Sequence, residues 1–405
     1  MEILTKEYSF PSKSGLCDIY AQSVAPMDYG KLKGVVQIAH GMAEHGGRYG
    51  ELAARLCKAG YAVFINDHVG HGKSVSSEEM LGYFGKKNGY MNFVDDCKQL
   101  TDIAKSEYKG LPFIFFGHSM GSFIAREYTA HFGNEIDGAV YCGTSGPNPG
   151  ASVGGTLANM IAKRKGEMYR SEFINNIAFG SYNKKTEKKT PFDWLTKDSA
   201  VVEKYINDPH CGFLFTATGY RDLFNLLQSV SAKKWYTSVP SELPILLMAG
   251  EDDPVGAYGK GVKQVFRTLK ETKHKNVTLN LYPGDRHEIH NELDKEQVVD
   301  DLIKWLDSVV GDGEVEVEKA VNDAVEEFNS KIDEAIQKSK ESINEAIEST
   351  NEVVEQIVQD AAEQAKVDAE SISVEDKLIE ETVEPQTVEE IVAEASETVE
   401  ETAEE

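Results

Sequence analysis

The 405-residue chain lacks any apolar run approaching the ~18–20 residues that a membrane-spanning helix needs. It also lacks paired cysteines. Cys17, Cys57, Cys97, Cys142 and Cys211 are odd in number, scattered, and form no CxxC motif. That argues against a disulfide framework and a structural zinc site, and fits a reducing compartment. The N-terminus, MEILTKEYSF, has no basic segment leading into an apolar one, so a cytoplasmic location is the expectation. Basic charge is in short supply: the formal net charge is −26. After Gly313 glycine vanishes and Phe328 is the one aromatic, so that segment has little with which to build a core.

The acidity is unevenly placed. Residues 312–405 carry 31 acidic and 6 basic side chains, which leaves 37 acidic and 36 basic in residues 1–311. A nearly neutral body therefore precedes a strongly acidic tail. The body offers no general polyanion-binding surface, and the tail would repel nucleic acid.

Within the body, short apolar runs at 34–39, 62–66, 113–116, 138–142, 244–248 and 277–282 read as buried strands. Amphipathic helical stretches at 51–58, 92–108, 122–131 and 297–310 lie between or after them. This alternation predicts an α/β fold, a mainly parallel sheet with helices on both faces. About 100 residues between the fourth and fifth strands break the rhythm, which is too long for a loop and predicts an inserted helical subdomain at 147–240. That insertion carries 13 basic and 8 acidic residues. The core is then 1–146 plus 241–311.

The tail repeats every eleven residues. Val321, Ile332, Ile343, Val354 and Ala365 form one series, and Val325, Ile336, Ile347, Val358 and Ala369 another. Eleven residues in three turns keep an apolar stripe almost straight along a helix. Glu327–Lys331 and Glu334–Lys338 are well-oriented i,i+4 pairs. An acidic amphipathic helix is expected over 312–371 and a disordered acidic end over 372–405. Such a tail is a solvated helix, a self-associating coiled coil or the dock of a protein partner. Adsorption to anionic lipid is disfavoured by its charge.

The stretch FIFFGHSMGS, residues 113–122, runs an apolar strand into a GxSxG turn and then a helix. This is the context in which Ser119 would be a nucleophile on a strained turn, with helix N-terminal amides beside it. In chain order an acid and a base should follow. LPILLMAGEDDPVG ends a strand in three acids, of which Asp253 is the candidate, with Asp252 and Glu251 as rivals. Of the later histidines, His287 in VTLNLYPGDRHEIHNE follows a strand and a glycine turn, whereas His274 lies in a lysine-rich loop. His290, three residues on, is placed to line the same pocket. After the first parallel strand, His40-Gly41-Met42 offers the Met42 N–H as a second oxyanion donor beside that of Met120. His68 and His71 in DHVGHGKS read as structural rather than as metal ligands.

Taken together, HGMAEHGGRY, DHVGHGKS, GHSMGS, GEDDPVG and GDRHEIHNE resemble the α/β-hydrolase family, in its monoacylglycerol lipase and lysophospholipase-like branch, also described as serine aminopeptidase-like. The resemblance covers about residues 1–311. It implies an α/β-hydrolase fold with a cap formed by 147–240, and a triad of Ser119, Asp253 and His287. It implies an oxyanion hole of Met42 and Met120 amides, and a pocket for the glycerol end lined by Glu44, Arg48 and His290. It also implies hydrolysis of an acyl lipid through an acyl-enzyme, with no metal or organic cofactor. An ion pair bracing the loop is the other reading of Glu44 and Arg48. Alternatives to the lipid esterase are an esterase of small acyl or aromatic esters, and an aminopeptidase in which Glu44 receives the substrate amine. An interaction protein working through its acidic tail is a further class. The basic cap suits an anionic head group or transient contact with a membrane surface.

Overall fold

The computed structural model describes residues 3–28, 32–311 and 314–372, and the chain divides into two compact units, Met1–Ala324 and Val325–Glu405. The first unit is built on one eight-stranded sheet. Its strands are β1 (Ile3–Pro11), β2 (Asp18–Pro26), β3 (Gly34–Ala39), β4 (Tyr61–Asn66), β5 (Phe113–His118), β6 (Gly138–Cys142), β7 (Ile245–Gly250) and β8 (Val277–Tyr282). Their order is β1-β2-β4-β3-β5-β6-β7-β8. β1 pairs antiparallel with β2, and β2 with β4; every later pairing is parallel.

The central strands are apolar almost throughout because both of their faces are covered. In β3, Val35 faces one core while Val36 and Ile38 face the other; Phe113 and Phe115 of β5 oppose Ile114 and Phe116 in the same way. One core is closed by α1 (Gly50–Lys58) and α10 (Lys295–Val310). In α1 the buried residues are Leu52, Ala53, Leu56 and Cys57, the i, i+1, i+4, i+5 pattern of one helical stripe. The other core is closed by α2 (Gly89–Glu107), α3 (Met120–Phe132) and α9 (Lys260–Glu271).

Three elements have no counterpart in the sequence reading. β1 is exposed along most of its length, so no apolar run announces it. β2 is buried only at alternate positions over most of its length, so it has no continuous run either. α9 packs Val262, Val265, Phe266 and Leu269 on the core, the i, i+3, i+4, i+7 stripe of an amphipathic helix whose other face is basic and polar.

Between β6 and β7 the chain leaves the sheet and forms a helical cap: α4 (Gly150–Lys165), α5 (Glu172–Phe179), α6 (Ser199–Asn207), α7 (Ala217–Ser231) and α8 (Lys233–Ser238). Side-chain caps fix where three of these helices start. Ser171 accepts from the Ile174 N–H, Asp198 from Ala200 and Val201, and Thr216 from Gly219. α7 is the helix that joins cap to core, burying Tyr220, Leu223, Leu226, Leu227 and Val230.

The last helix, α11, runs from Glu314 to Ile372. Within the second unit every described side chain is exposed, including the stripe Val325, Ile332, Ile336, Ile343, Ile347, Val354 and Val358. Bonds at i,i+4 spacing, Gln337 Nε2 to Glu341 Oε1 at 3.2 Å and Gln356 Nε2 to Asp360 Oδ1 at 2.8 Å, run along its polar face. The expected disordered end at 372–405 lies, from 373 on, outside the described residues.

Candidate active site

Parallel strands end on one rim, and the strand order reverses at β3, which pairs with β4 on one side and β5 on the other. The loops after β3, β5, β7 and β8 therefore converge. Ser119 follows β5 directly. Its backbone lies at φ 55°, ψ −121°, a conformation that costs a non-glycine residue about 1–3 kcal/mol. The flanking glycines are dictated by contact. A Cβ on Gly121 would stand 2.0 Å from the Ala39 carbonyl oxygen, and one on Gly117 would stand 2.1 Å from that of Gly121. The turn is pinned by the Ser119 N–H donating to Cys142 O at 3.0 Å and by Ser122 Oγ donating to Ser119 O at 2.6 Å. Met120 opens α3, so its N–H belongs to the helix-terminal set with no intrahelical acceptor.

The loops after β7 and β8 are laced together. Gly250 ends β7 so tightly under the later loop that a Cβ there would meet the backbone oxygens of Asp285 and Arg286 at 2.1 and 2.2 Å. The Asp252 N–H donates to Asp285 O at 2.8 Å. This arrangement separates the three acids: Asp252 is exposed, Glu251 half-buried, and Asp253 fully buried. Asp253 Oδ2 lies 3.0 Å from His287 Nδ1, and its Oδ1 accepts from the Val255 N–H at 2.8 Å. Burial works against a charged imidazole at His287, but the Asp253 carboxylate outweighs it and raises the pKa above the usual histidine value. With the Nδ1 proton turned to Asp253, Nε2 is left as a lone pair; it is buried and has no hydrogen-bond partner among the described residues. The cap reaches this loop too. Trp194 lies against the His287 ring with centroids 5.0 Å apart, and the Glu288 N–H donates to Leu195 O at 2.7 Å.

The loop after β3 packs on the serine: a Cβ on Gly41 would sit 3.2 Å from Ser119 Cβ. Met42, Glu44, Arg48, Ser119, Met120 and His287 all border one cavity of about 1110 Å³ under the cap, above the ~300–1,000 Å³ usual for small-molecule pockets. Its far walls are largely apolar, with Phe123, Leu157, Phe179, Phe213, Leu223 and Phe224 among them.

Glu44 and Arg48 border the cavity but are committed to each other and to the loop after β8. Glu44 Oε1 accepts from the Gly41 N–H at 2.5 Å and from Tyr49 Oη at 2.8 Å, while its Oε2 accepts from Arg48. Arg48 grips Glu288 with two 2.8 Å bonds. Burial would push both carboxyls up, yet the guanidinium holds Glu44 well below the usual range and pulls Glu288 down to about 2. The loop-bracing reading of this pair matches the geometry. His290 does not reach the cavity wall. It is buried, stacked on Tyr49 at 5.1 Å and against His118 at 4.8 Å. Burial, with His118 close by, lowers its pKa to about 3, so it is neutral. The three-residue spacing from His287 carries it round a short 3₁₀ turn, Ile289–Asn291, onto Tyr49 and His118.

Among the described residues, two groups bring three metal-ligating atoms within 4.8 Å of one another: His118–Cys142–His290 and His45–Asp208–Cys211. In the first, burial drives the Cys142 thiol upward, so it stays protonated. In the second, His45 Nδ1 accepts the Gly47 N–H, which leaves the proton on Nε2, 2.9 Å from Asp208. Burial also keeps the Cys211 thiol protonated. His68 and His71 are buried, and desolvation holds both neutral.

A model of the family described as serine aminopeptidase, S33 (Hydrolase_4) matches residues 30–294. A monoacylglycerol lipase of Mycolicibacterium smegmatis is 31% identical over 303 residues, 74% of this chain and 96% of that protein. The human monoglyceride lipase is 27% identical over 269 residues, 65% of this chain and 78% of that one. A thermostable carboxyl esterase from Bacillus coagulans, solved in complex with glycerol, superposes with a TM-score of 0.72 at 34% identity, covering 76% of this chain and 99% of the other.

Proposed function

The chain belongs to the serine aminopeptidase S33 family of α/β-hydrolases, and on that premise we propose that it is a serine carboxylic-ester hydrolase of single-chain acyl lipids, either a monoacylglycerol or a lysophospholipid. The observation that carries the reading is the buried Asp253–His287 pair at the edge of a large apolar cavity that Ser119 also lines. The similarity to lipases and to an esterase supports ester rather than peptide substrates. So does Glu44, whose oxygens are taken up by Gly41, Tyr49 and Arg48 and leave no free carboxylate for a substrate amine.

The proposed chemistry assigns each group one role. His287 Nε2 takes the proton of Ser119 Oγ as that oxygen attacks the ester carbonyl. The tetrahedral oxyanion rests on the N–H groups of Met42 and Met120, donors held in place before the charge forms. Asp253 keeps the ring in the tautomer that accepts at Nε2 and favours the imidazolium that forms. His287 then protonates the departing alcohol, and water repeats the cycle on the acyl-enzyme. Single acyl chains suit the cavity because its walls away from the serine are mostly aromatic and aliphatic.

The test compares fatty-acid release from a 1-monoacylglycerol and from a lysophosphatidylcholine by the wild type and Ser119→Ala. Turnover of either lipid that Ser119→Ala abolishes supports the proposal, and the ratio of the two rates assigns the head group. Turnover of a short p-nitrophenyl ester alone would reduce the function to that of a small-ester esterase.

A further inference from the structure

The loop that carries the Met42 N–H is held from above by the cap. Ala43, the next residue, is a non-glycine residue at φ 50°. Its carbonyl oxygen accepts two hydrogen bonds, from Tyr205 Oη at 3.0 Å and from the Gly212 N–H at 2.9 Å. Both donors belong to the cap: Tyr205 to α6 and Gly212 to the connection into α7. The Tyr205 ring is fixed in turn by Phe192, with centroids 4.9 Å apart, and by the Arg48 guanidinium 4.8 Å above it. Tyr205 is buried, and burial pushes its phenol pKa upward, so it remains a donor.

We propose that Tyr205 is a positioning residue for the oxyanion hole, through which the cap holds the Ala43 peptide and hence the Met42 N–H in place. A left-handed non-glycine residue persists only where its surroundings over-determine it. Here the over-determination comes from the two cap donors on Ala43 O, while the Gly41 N–H is tied to Glu44 on the near side. If those donors are lost, the Ala43 torsion relaxes toward negative φ. The short loop takes up that change on both sides of Met42. The Met42 N–H then swings from where the oxyanion forms, while the apolar cavity that binds the chain is left intact. The cap is thereby part of the transition-state machinery as well as a cover. The inference rests on the nucleophilic role of Ser119 and the donor role of Met42 proposed above.

The probe is Tyr205→Phe, which keeps the ring packing and removes only the donor. On a short p-nitrophenyl ester, kcat should fall about tenfold with KM within twofold, the signature of an interaction strengthened in the transition state. An alkyl trifluoromethyl ketone supplies the specific readout. Ser119 Oγ adds to its carbonyl carbon, the serine proton passes to His287 Nε2, and the carbonyl π pair becomes an oxyanion. Its inhibition constant should rise by the same factor as kcat/KM falls. The corresponding methyl ketone, bound without addition, should keep its affinity. Placing 4-aminophenylalanine at position 205 restores a donor and should restore both values. Unchanged kcat and trifluoromethyl-ketone affinity would overturn the proposal, as would equal weakening of both ketones, which would mark a role in cavity shape. Should Tyr205→Phe fail to fold, the 4-aminophenylalanine protein decides the matter by whether its kcat matches the wild type. Ser119→Ala separates the two levels. If it leaves turnover intact, the proposed function falls. If it abolishes turnover while Tyr205→Phe changes nothing, only the positioning role falls.

Discussion

Replacing Arg48 with Met should destabilise the protein by about 3–5 kcal/mol at neutral pH, because it leaves two buried carboxylates without their cation. The side chains of Arg48, Glu44 and Glu288 keep 12%, 4% and 2% of their exposure, so water cannot take the place of the guanidinium. In the wild type both carboxyls are held down against their burial. A carboxyl whose folded pKa is depressed contributes stability that is fully present above its unfolded value, ~4.3, and is lost as the pH falls toward the folded one. For Glu288 that window runs from ~4.3 down to about 2. In Arg48→Met the sign reverses. Burial and mutual repulsion then act alone, and both raise the carboxyl pKa. At least one of the two must take up a proton to remain buried, so the variant should gain stability as the pH drops from about 8 to 5. The gap between wild type and variant is therefore widest at pH 8 and narrows toward pH 5. Equilibrium urea unfolding of the full chain at pH 5, 7 and 8 measures it. Adding Glu288→Gln to Arg48→Met should recover part of the loss, since it removes one of the stranded charges. A deficit under about 1 kcal/mol at pH 8, or one that does not vary with pH, would refute the reasoning, because such values are those of solvent-screened surface pairs.

Three further outcomes are expected. Asp253→Asn should lower kcat on a short ester by roughly 10³–10⁴-fold. It should also move the acidic limb of kcat/KM to lower pH. That limb follows deprotonation of His287, whose pKa Asp253 raises. Gly121→Ala should destabilise the fold by about 3 kcal/mol or more and abolish turnover, because its Cβ overlaps the Ala39 carbonyl oxygen; urea unfolding and an ester assay read the two effects. Deleting residues 312–405 should leave short-ester kcat/KM within about twofold of the full chain. The family match ends at residue 294 and the last core helix at Val310. A larger change at any salt concentration would assign the tail a part in the reaction.

Much of the fold was written in the sequence where one residue sees one environment. Strands buried on both faces must be apolar throughout, so β3 to β7 announced themselves as runs; edge strand β8, buried only at Val277 and Tyr282, showed through its alternating Val277, Leu279 and Leu281, and the helices through their stripes. The GxSxG turn was legible because a strand running into a glycine-flanked serine and then a helix is a local pattern, although Gly121 answers to the distant Ala39 carbonyl, and the chain order of serine, acid and histidine left few candidates. Exposed β1 and half-buried β2 had no such signal, whereas α9 carried one in the i, i+3, i+4, i+7 spacing of Val262, Val265, Phe266 and Leu269. The tertiary structure decided what depends on residues far apart in the chain. It buried Asp253 beside His287, 34 residues on, and left Asp252 in water. It stacked His290 on Tyr49, and it tied Arg48 to Glu288 across 240 positions. It also set Tyr205 on the carbonyl of Ala43, 162 residues earlier. Local propensity and burial can be read along a chain. Which polar groups meet in a dry interior is fixed only when the sheet brings the ends of its strands to one rim and the cap closes over them.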